Sequence, residues 1–276
     1  MSNKVILVVV DGLKYRTALD HCGYLEGQVE SGHARRWRMR ASLPSMSAPC
    51  YESLHTGLDP AHHGITANSL LRPSTKDNIF SLTRAAGKTT AAVAYSWFSV
   101  LYNAAPYVAT LHQETDDPDQ PIQYGRFYND ADRTEYHLSI PSDHDLCAQV
   151  DRLINRHVPD YLLLHTLSCD SVGHVHGGDS WQYQRAANVV DSALGHHIDT
   201  WRGKGYRVLV TADHGFTDCG YHGGTEDTVR DVAFYDIGHP NPGADPAVVS
   251  QRAVAPTILR LMGLDIPASM KEAPLE

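Results

Sequence analysis

The sequence predicts an α/β fold with a mostly parallel central sheet and helices on both faces. Three observations predict it. Stretches of strand and helix character alternate along the chain, as βαβ units require. The apolar runs KVILVVVDG, DYLLLHTLSCDSVGH and YRVLVTADHG have the length of buried strands. Each runs into a carboxylate (Asp11, Asp170 and Asp213), and His174 and His214 accompany the last two. Ligands of open parallel sheets bind just beyond the carboxyl ends of the strands. These residues, remote in sequence, are therefore expected on one rim. Aspartate oxygen and imidazole nitrogen together suit a divalent metal such as zinc.

Taken in order, residues 5–10 read as a fully buried strand. Residues 48–56 read as a helix closed by Gly57, and 78–86 as a second helix stopped by Gly87. A strand follows over 89–95. Apolar residues at Leu146, Val150, Leu153 and Ile154 have helical period and place a helix over 146–157. Strands over 160–166 and 206–211 flank a long helix over 181–201. Residues 229–237 read as a strand near the sheet edge, and 253–262 as a last helix with Pro256 near its start and Gly263 after its end. The stretch 102–145 differs: it is rich in Tyr, Asp, Pro and His and weakly periodic. As plain loop it would be too long, so it is expected to form a small insertion over the rim of a single domain spanning 1–276. Its neighbourhood holds Trp97, Phe98, Tyr102, Tyr107, Tyr124, Phe127 and Tyr128, which either stack on a substrate's base, lipid or choline group or belong to the core.

Composition narrows the function. The 276 residues carry a formal charge of −9 and are 42% apolar, ordinary for a protein with a real core. Such a charge argues against nucleic-acid polymers as partners, because phosphate contacts demand basic surface. The basic run at 33–40 is read as a solvated face. The first apolar run is far too short for a signal peptide or membrane span. The five cysteines are odd in number and lack CxxC spacing. Reduced thiols, a cytoplasmic location and no membrane partner are the expectation. Most of the 17 histidines, such as His112, His137, His144 and His157, lie in polar segments and are read as surface groups.

The segment LPSMSAPCYESLHTGLDPAHHGITAN, residues 43–68, holds the candidate nucleophile. Pro49 suits the first position of a helix, which makes Ala48 the cap and leaves Ser47 just outside. A hydroxyl there lies beside free backbone N–H groups and the positive end of the helix dipole, a setting that favours an alkoxide or a bound phosphate. A serine in that place also serves as a plain cap.

These motifs resemble the alkaline phosphatase superfamily, in particular its nucleotide pyrophosphatase/phosphodiesterase branch. The branch pattern Pro-Thr-x-Thr-x-Pro-Asn stands here as Pro44-Ser45-Met46-Ser47-Ala48-Pro49-Cys50. Thr56-Gly57-Leu58-Asp59-Pro60 and His63-Gly64-Ile65-Thr66-Ala67-Asn68 follow it. Asp170-Ser171-Val172-Gly173-His174, Asp213-His214-Gly215 and His222-Gly223-Gly224 complete the set. The resemblance spans nearly the whole chain and is weak between 102 and 145. Two departures stand out: the nucleophile is Ser where the branch usually has Thr, and Cys50 replaces Asn.

By this resemblance Ser47 is the nucleophile of a covalent phospho-enzyme, and Asn68 contacts a phosphoryl oxygen with help from the Ala48 N–H. Asp170, His174 and His222 would hold one divalent metal, and Asp11, Asp213, His214 and the Ser47 oxygen a second. Zinc is expected, with manganese as the alternative. His176, His62 and His239 compete with His222, whose counterpart in longer relatives comes much further on. The spacing agrees with shared sites: Asp170 and His174 lie one helical turn apart, and Gly215 permits the turn that brings the adjacent Asp213 and His214 together. The expected reaction is two-metal hydrolysis of a phosphodiester or pyrophosphate in a small-molecule substrate. No arginine follows Ser47 closely, which favours a diester over a dianionic monoester and disfavours a sulfatase, whose maturation motif needs one. Phosphonate or phosphonoacetate hydrolysis, phosphomonoester hydrolysis and a non-catalytic phosphate-binding role are the alternatives. Oligomeric state is left open.

Overall fold

A computed structural model describes residues 3–130 and 140–276; His137 lies outside them. Among the described residues nine strands form one sheet: β1 (Lys4–Val10), β2 (Ala34–Arg40), β3 (Thr90–Tyr95), β4 (Glu114–Asp116), β5 (Tyr124–Tyr128), β6 (Tyr161–Thr166), β7 (Tyr206–Thr211), β8 (Asp231–Ile237) and β9 (Gly243–Ser250). Their order is β4-β5-β3-β6-β1-β7-β8-β2-β9. The run β5-β3-β6-β1-β7 is parallel throughout, and helices cover both faces. Runs such as VILVVV in β1 and YLLLHT in β6 are buried along their length, the pattern of strands with a helical layer on each side. Among the described residues no helix is long and apolar enough to cross a membrane.

Local chemistry sets the helix boundaries. Asn78 and Ser81 form a reciprocal capping box at the start of Ile79–Ala85. Ser142 and Ser180 accept backbone N–H bonds at the starts of Asp143–His157 and Trp181–Gly203. The helix Ser47–Thr56 has Met46 rather than Ala48 as its cap, so Ser47 lies inside the helix and not outside it. Pro49 is thus its third residue. That costs no hydrogen bond, since the first four N–H groups of a helix have no partner within it.

Register places the site. Val10 on β1 lies opposite Thr166, the last residue of β6, and Val9 lies opposite Thr211, the last of β7. Asp11, Asp170 and Asp213 follow these three aligned ends, so the carboxylates share one rim.

The sheet departs from expectation on both flanks. The segment 229–237 does contain β8, but in the interior, antiparallel to β7 and covered by β2 and β9. The basic run at 33–40, read as a solvated face, is strand β2. Ala34, Trp37 and Met39 point into the core, while Arg35, Arg36, Arg38 and Arg40 pair with Asp245, Glu26, Asp231 and Asp227. The arginines mask a strand because each has a carboxylate partner remote in sequence. Part of the stretch 102–145, expected as a rim insertion, is sheet instead: β5 pairs in parallel with β3, and β4 forms the edge. Its aromatic residues divide. Phe98, Tyr102, Phe127 and Tyr128 are core, Tyr124 stacks on His157, and Trp97 faces the rim.

Candidate active site

Among the described residues, two clusters of ligand-type side chains form at the rim. Asp11, Asp213 and His214 make one, and Asp170, His174 and His222 the other. In each, the donor atoms lie within 4.8 Å of one another.

The first cluster is fully buried. The Asp213 Oδ1 accepts the N–H groups of Gly12 (3.1 Å) and His214 (2.9 Å), which leaves Oδ2 3.3 Å from His214 Nε2. Asp11 Oδ1 lies 3.5 Å from the same nitrogen. Gly12 is required here: it has φ +72°, and a Cβ would meet the Phe216 ring at 2.7 Å and the Asp170 Cα at 3.0 Å. Gly215 serves by close approach rather than as a left-handed turn residue, since a Cβ would lie 2.2 Å from the Thr228 carbonyl oxygen.

The second cluster lies on the cavity wall. Asp170 and His174 occupy successive turns of the helix Ser168–His176, with Asp170 Oδ1 3.6 Å from His174 Nε2. His222 arrives from the loop after β7, its Nε2 3.7 Å from Asp170 Oδ1 and 3.2 Å from His174 Nε2. The competing histidines are elsewhere: His176 is exposed at the helix end, His62 pairs with Asp59, and His239 packs on Trp37.

Three observations show that these residues fit divalent cations. Asp11 Oδ1, Asp170 Oδ1 and Asp213 Oδ2 are buried and have no hydrogen-bond partner, a costly state unless a cation meets them. The Nδ1 atoms of His214, His174 and His222 face the carbonyl oxygens of Gly215, Gly220 and Ser45 at 3.1, 3.1 and 3.3 Å. Donation from Nδ1 turns each Nε2 lone pair toward its cluster, the usual outer support of a metal-bound imidazole. The protein alone also opposes the charges a metal would need. Burial pushes Asp11 up to about 7, and burial plus the negative charge of Asp11 pushes Asp170 and Asp213 well above the carboxylate range. Burial likewise drives His214 well below its usual value and His222 down to about 4. A bound cation reverses the carboxylate part of this penalty.

Ser47 joins the clusters. It is the first residue of its helix, and its Oγ lies 3.2 Å from His214 Nε2. Together with Asn68, Asp170, His174 and His222 it lines a cavity of about 370 Å³. Asn68 is in place, but the Ala48 N–H expected to face substrate donates to Asn68 Oδ1 at 3.0 Å. This contact holds the Asn68 side chain at the start of the helix and leaves its amide N–H groups as the donors toward the cavity.

Several residues of the site escaped the sequence reading. Tyr51 donates its hydroxyl to Asp11 Oδ2, and His165 Nε2 lies 3.1 Å from the same oxygen. Tyr128 supports His165 from the other ring nitrogen at 2.9 Å. Gln251 is fully buried and bridges two site segments: its Nε2 donates to the Asp213 carbonyl (2.7 Å), and its Oε1 accepts the Ser42 N–H (3.0 Å). A lone imidazole inside the apolar strand YLLLHT was the available signal for His165. Tyr51, one helical turn after Ser47, carried none. The cavity wall also holds Tyr95, Trp97 and Asp130.

Residues 5–252 match the sequence profile of the type I phosphodiesterase/nucleotide pyrophosphatase family. The chain belongs to this family. Enzymes of the family are phosphoester hydrolases and transferases. Among relatives of this phosphodiesterase-family chain is the catalytic subunit of human GPI ethanolamine phosphate transferase 2, 24% identical over 96% of the chain. That alignment covers 27% of the human protein, so the chain spans about a quarter of such relatives. Murine ectonucleotide pyrophosphatase/phosphodiesterase 5 has a similar fold, with TM-score 0.72 and 15% identity over 96% of each chain. A 2-O GAG sulfatase also shares the fold, with TM-score 0.68 and 13% identity over all of this chain and 73% of that one.

Proposed function

We propose that this chain is a divalent-metal-dependent hydrolase of phosphodiester or pyrophosphate bonds that works through a phosphoserine on Ser47. The observation that carries this reading is the place of the Ser47 hydroxyl. It sits at a helix N-terminus, 3.2 Å from His214 of the buried cluster, in a cavity walled by the other cluster. Asp11, Asp213 and His214 would hold one ion and Asp170, His174 and His222 the other, and their oxygen and imidazole donors suit zinc. Ions held there would acidify the serine hydroxyl and neutralise charge on the phosphoryl group.

Ser47 Oγ releases its proton to solvent and attacks phosphorus. The bond to the leaving oxygen breaks, and that oxygen departs with the electron pair and takes up a proton from solvent. Water then attacks the phosphoserine, the phosphorus–Oγ bond breaks, and Ser47 is reprotonated. Asn68 donates to a non-bridging oxygen, and the helix N-terminus favours the developing charge. Among the described residues no lysine or arginine lines the cavity, so a diester fits better than a dianionic monoester. The arginine of a sulfatase motif is replaced by Tyr51, whose hydroxyl is committed to Asp11. A second reading, phosphoryl transfer to an alcohol in place of water, is supported by the human transferase relative.

The test is turnover of bis-p-nitrophenyl phosphate against p-nitrophenyl phosphate by zinc-loaded protein and its Ser47→Ala variant. Preference for the diester and a loss on the order of 10⁴-fold in the variant are expected. Full turnover by Ser47→Ala would rule out the covalent route.

A further inference from the structure

We propose that Ser45 and Gln251 are positioning residues that set the nucleophile between the two ligand clusters, Ser45 against the wall cluster and Gln251 against the buried one. The proposal rests on the hydrolase reading above and names residues to which that reading gives no part.

Ser47 is preceded by residues 42–46, which belong to neither helix nor strand. No ladder of hydrogen bonds fixes such a segment, so its place depends on individual contacts. Its burial is inverted: Leu43 is exposed, whereas Ser45 is wholly buried. A buried hydroxyl is costly unless it is bonded, and Ser45 Oγ donates to the Gly224 carbonyl at 2.8 Å. The carbonyl of the same serine faces His222 Nδ1 at 3.3 Å. Ser45 therefore grips both ends of the irregular segment 222–224 that delivers His222. Gly223, between the two contacts, lies against the neighbour of Ser45: it has φ +103°, and a Cβ there would be 3.1 Å from Met46 Cγ. The wall cluster is thus fastened to the chain two residues before the nucleophile.

The far end of the segment is held at Ser42. Gln251 lies on the turn Gln251–Ala253 that follows β9, the outermost strand on that side, yet it is wholly buried. Its Oε1 accepts the Ser42 N–H at 3.0 Å and its Nε2 donates to the Asp213 carbonyl at 2.7 Å. One amide spans from the nucleophile segment to the turn that carries Asp213 and His214. The contact of Ser47 Oγ with His214 Nε2 at 3.2 Å closes the same circuit from the other side. Neither Ser45 nor Gln251 belongs to a ligand cluster or lines the cavity, so each acts through the residues it holds. Displacing a reacting group by about 1 Å costs on the order of 10²-fold in rate, and these bonds oppose such a shift at both ends of the segment.

The experiment titrates zinc into metal-free protein by calorimetry and measures turnover of bis-p-nitrophenyl phosphate, in the parent and in Ser45→Ala, Ser45→Thr, Gln251→Met and Gln251→Asn. Ser45→Ala should weaken one of two zinc equivalents about tenfold, leave the other unchanged and regain turnover as free zinc is raised. Ser45→Thr keeps the hydroxyl and should behave as the parent does. Gln251→Met should keep both zinc affinities and lower kcat on the order of 10²-fold at nearly constant KM, without rescue by zinc. Gln251→Asn keeps the amide but is one methylene short of spanning both groups, and should show the same split if Gln251→Met does not fold. Unchanged zinc binding in Ser45→Ala overturns the proposal. Gln251 variants that melt earlier with parental kcat also overturn it, since the amide would then only satisfy buried backbone groups. If the parent binds zinc but hydrolyses no diester, it is the hydrolase reading that fails. The zinc titrations then still decide, because they need no chemistry: a loss in Ser45→Ala that Ser45→Thr restores supports the proposal, and no loss, or equal loss in both, refutes it.

Discussion

The two ligand clusters use the same residue types in opposite surroundings. Asp11, Asp213 and His214 are sealed at 0% exposure, whereas His174 is about two-fifths exposed and its partner His222 comes from a loop. The buried cluster has an outer layer of its own: Tyr51 and His165 on Asp11, Gly12 N–H on Asp213, and Gln251 on the Asp213 backbone. The wall cluster is supported chiefly by carbonyl oxygens facing the two imidazole Nδ1 atoms. One cluster is therefore preorganised and closed, as a position that activates a nucleophile requires. The other is open, as a position that admits substrate and water requires.

The contrast can be broken first by removing one imidazole from each side. His214→Ala is expected to lose one equivalent of metal and to lower turnover by on the order of 10³-fold. His222→Ala should weaken metal binding by about 10–100-fold and regain turnover as free zinc is raised. Metal content by mass spectrometry and turnover against free zinc measure both, and indistinguishable variants would abolish the contrast.

A smaller effect should appear in the melting of metal-free protein. Asp11 is raised from 3.8 to about 7, and Asp170 and Asp213 are raised well above the same value, all by burial first. A carboxyl group whose folded pKa is raised holds its proton in the folded state after the unfolded chain has released it. Stability is then lost as pH rises toward the folded value. The depressed imidazoles of His214, His222 and His165 act the other way, but only below their ordinary value of 6.5. Between pH 6.5 and 8 the carboxylates therefore dominate among these groups. Chelated protein should lose a few degrees of melting temperature across that window, while zinc-loaded protein should hold steady. Scanning calorimetry at the two pH values checks the sign.

The smallest effect sharpens the contrast within the outer layer. Tyr51→Phe removes the hydroxyl from Asp11 Oδ2 and should weaken metal binding at the buried cluster about tenfold, at a stability cost of about 1 kcal/mol. Zinc competition titration reads the first quantity and denaturant unfolding the second.

How much of this was legible in the sequence depended on how local each signal was. The β1, β6 and β7 strands announced themselves because strands covered on both faces must be apolar throughout. Their carboxylates stood out because a charge right after such a run has to lie at the rim. The strand β2 was hidden, since its arginines read as solvent-facing until Asp245, Glu26, Asp231 and Asp227 are brought beside them. For the same reason Tyr124–Tyr128 did not read as sheet: its pairing with β3 is set by register across the chain. Tyr51, His165 and Gln251 each reach the buried cluster through a hydrogen bond to a residue at least 38 positions away, and no spacing rule reaches that far.

By itself the sequence determined the α/β class, the residue types of the site and the order Asp11, Ser47, Asn68, Asp170, His174, Asp213, His214, His222, because apolar period and motif spacing are properties of short segments. Only the tertiary structure decided which donors share a point, that His222 rather than His176, His62 or His239 completes the second cluster, and that the Ala48 N–H is held by Asn68. Those outcomes depend on strand register and loop closure, where residues far apart in the chain compete for the same few ångströms.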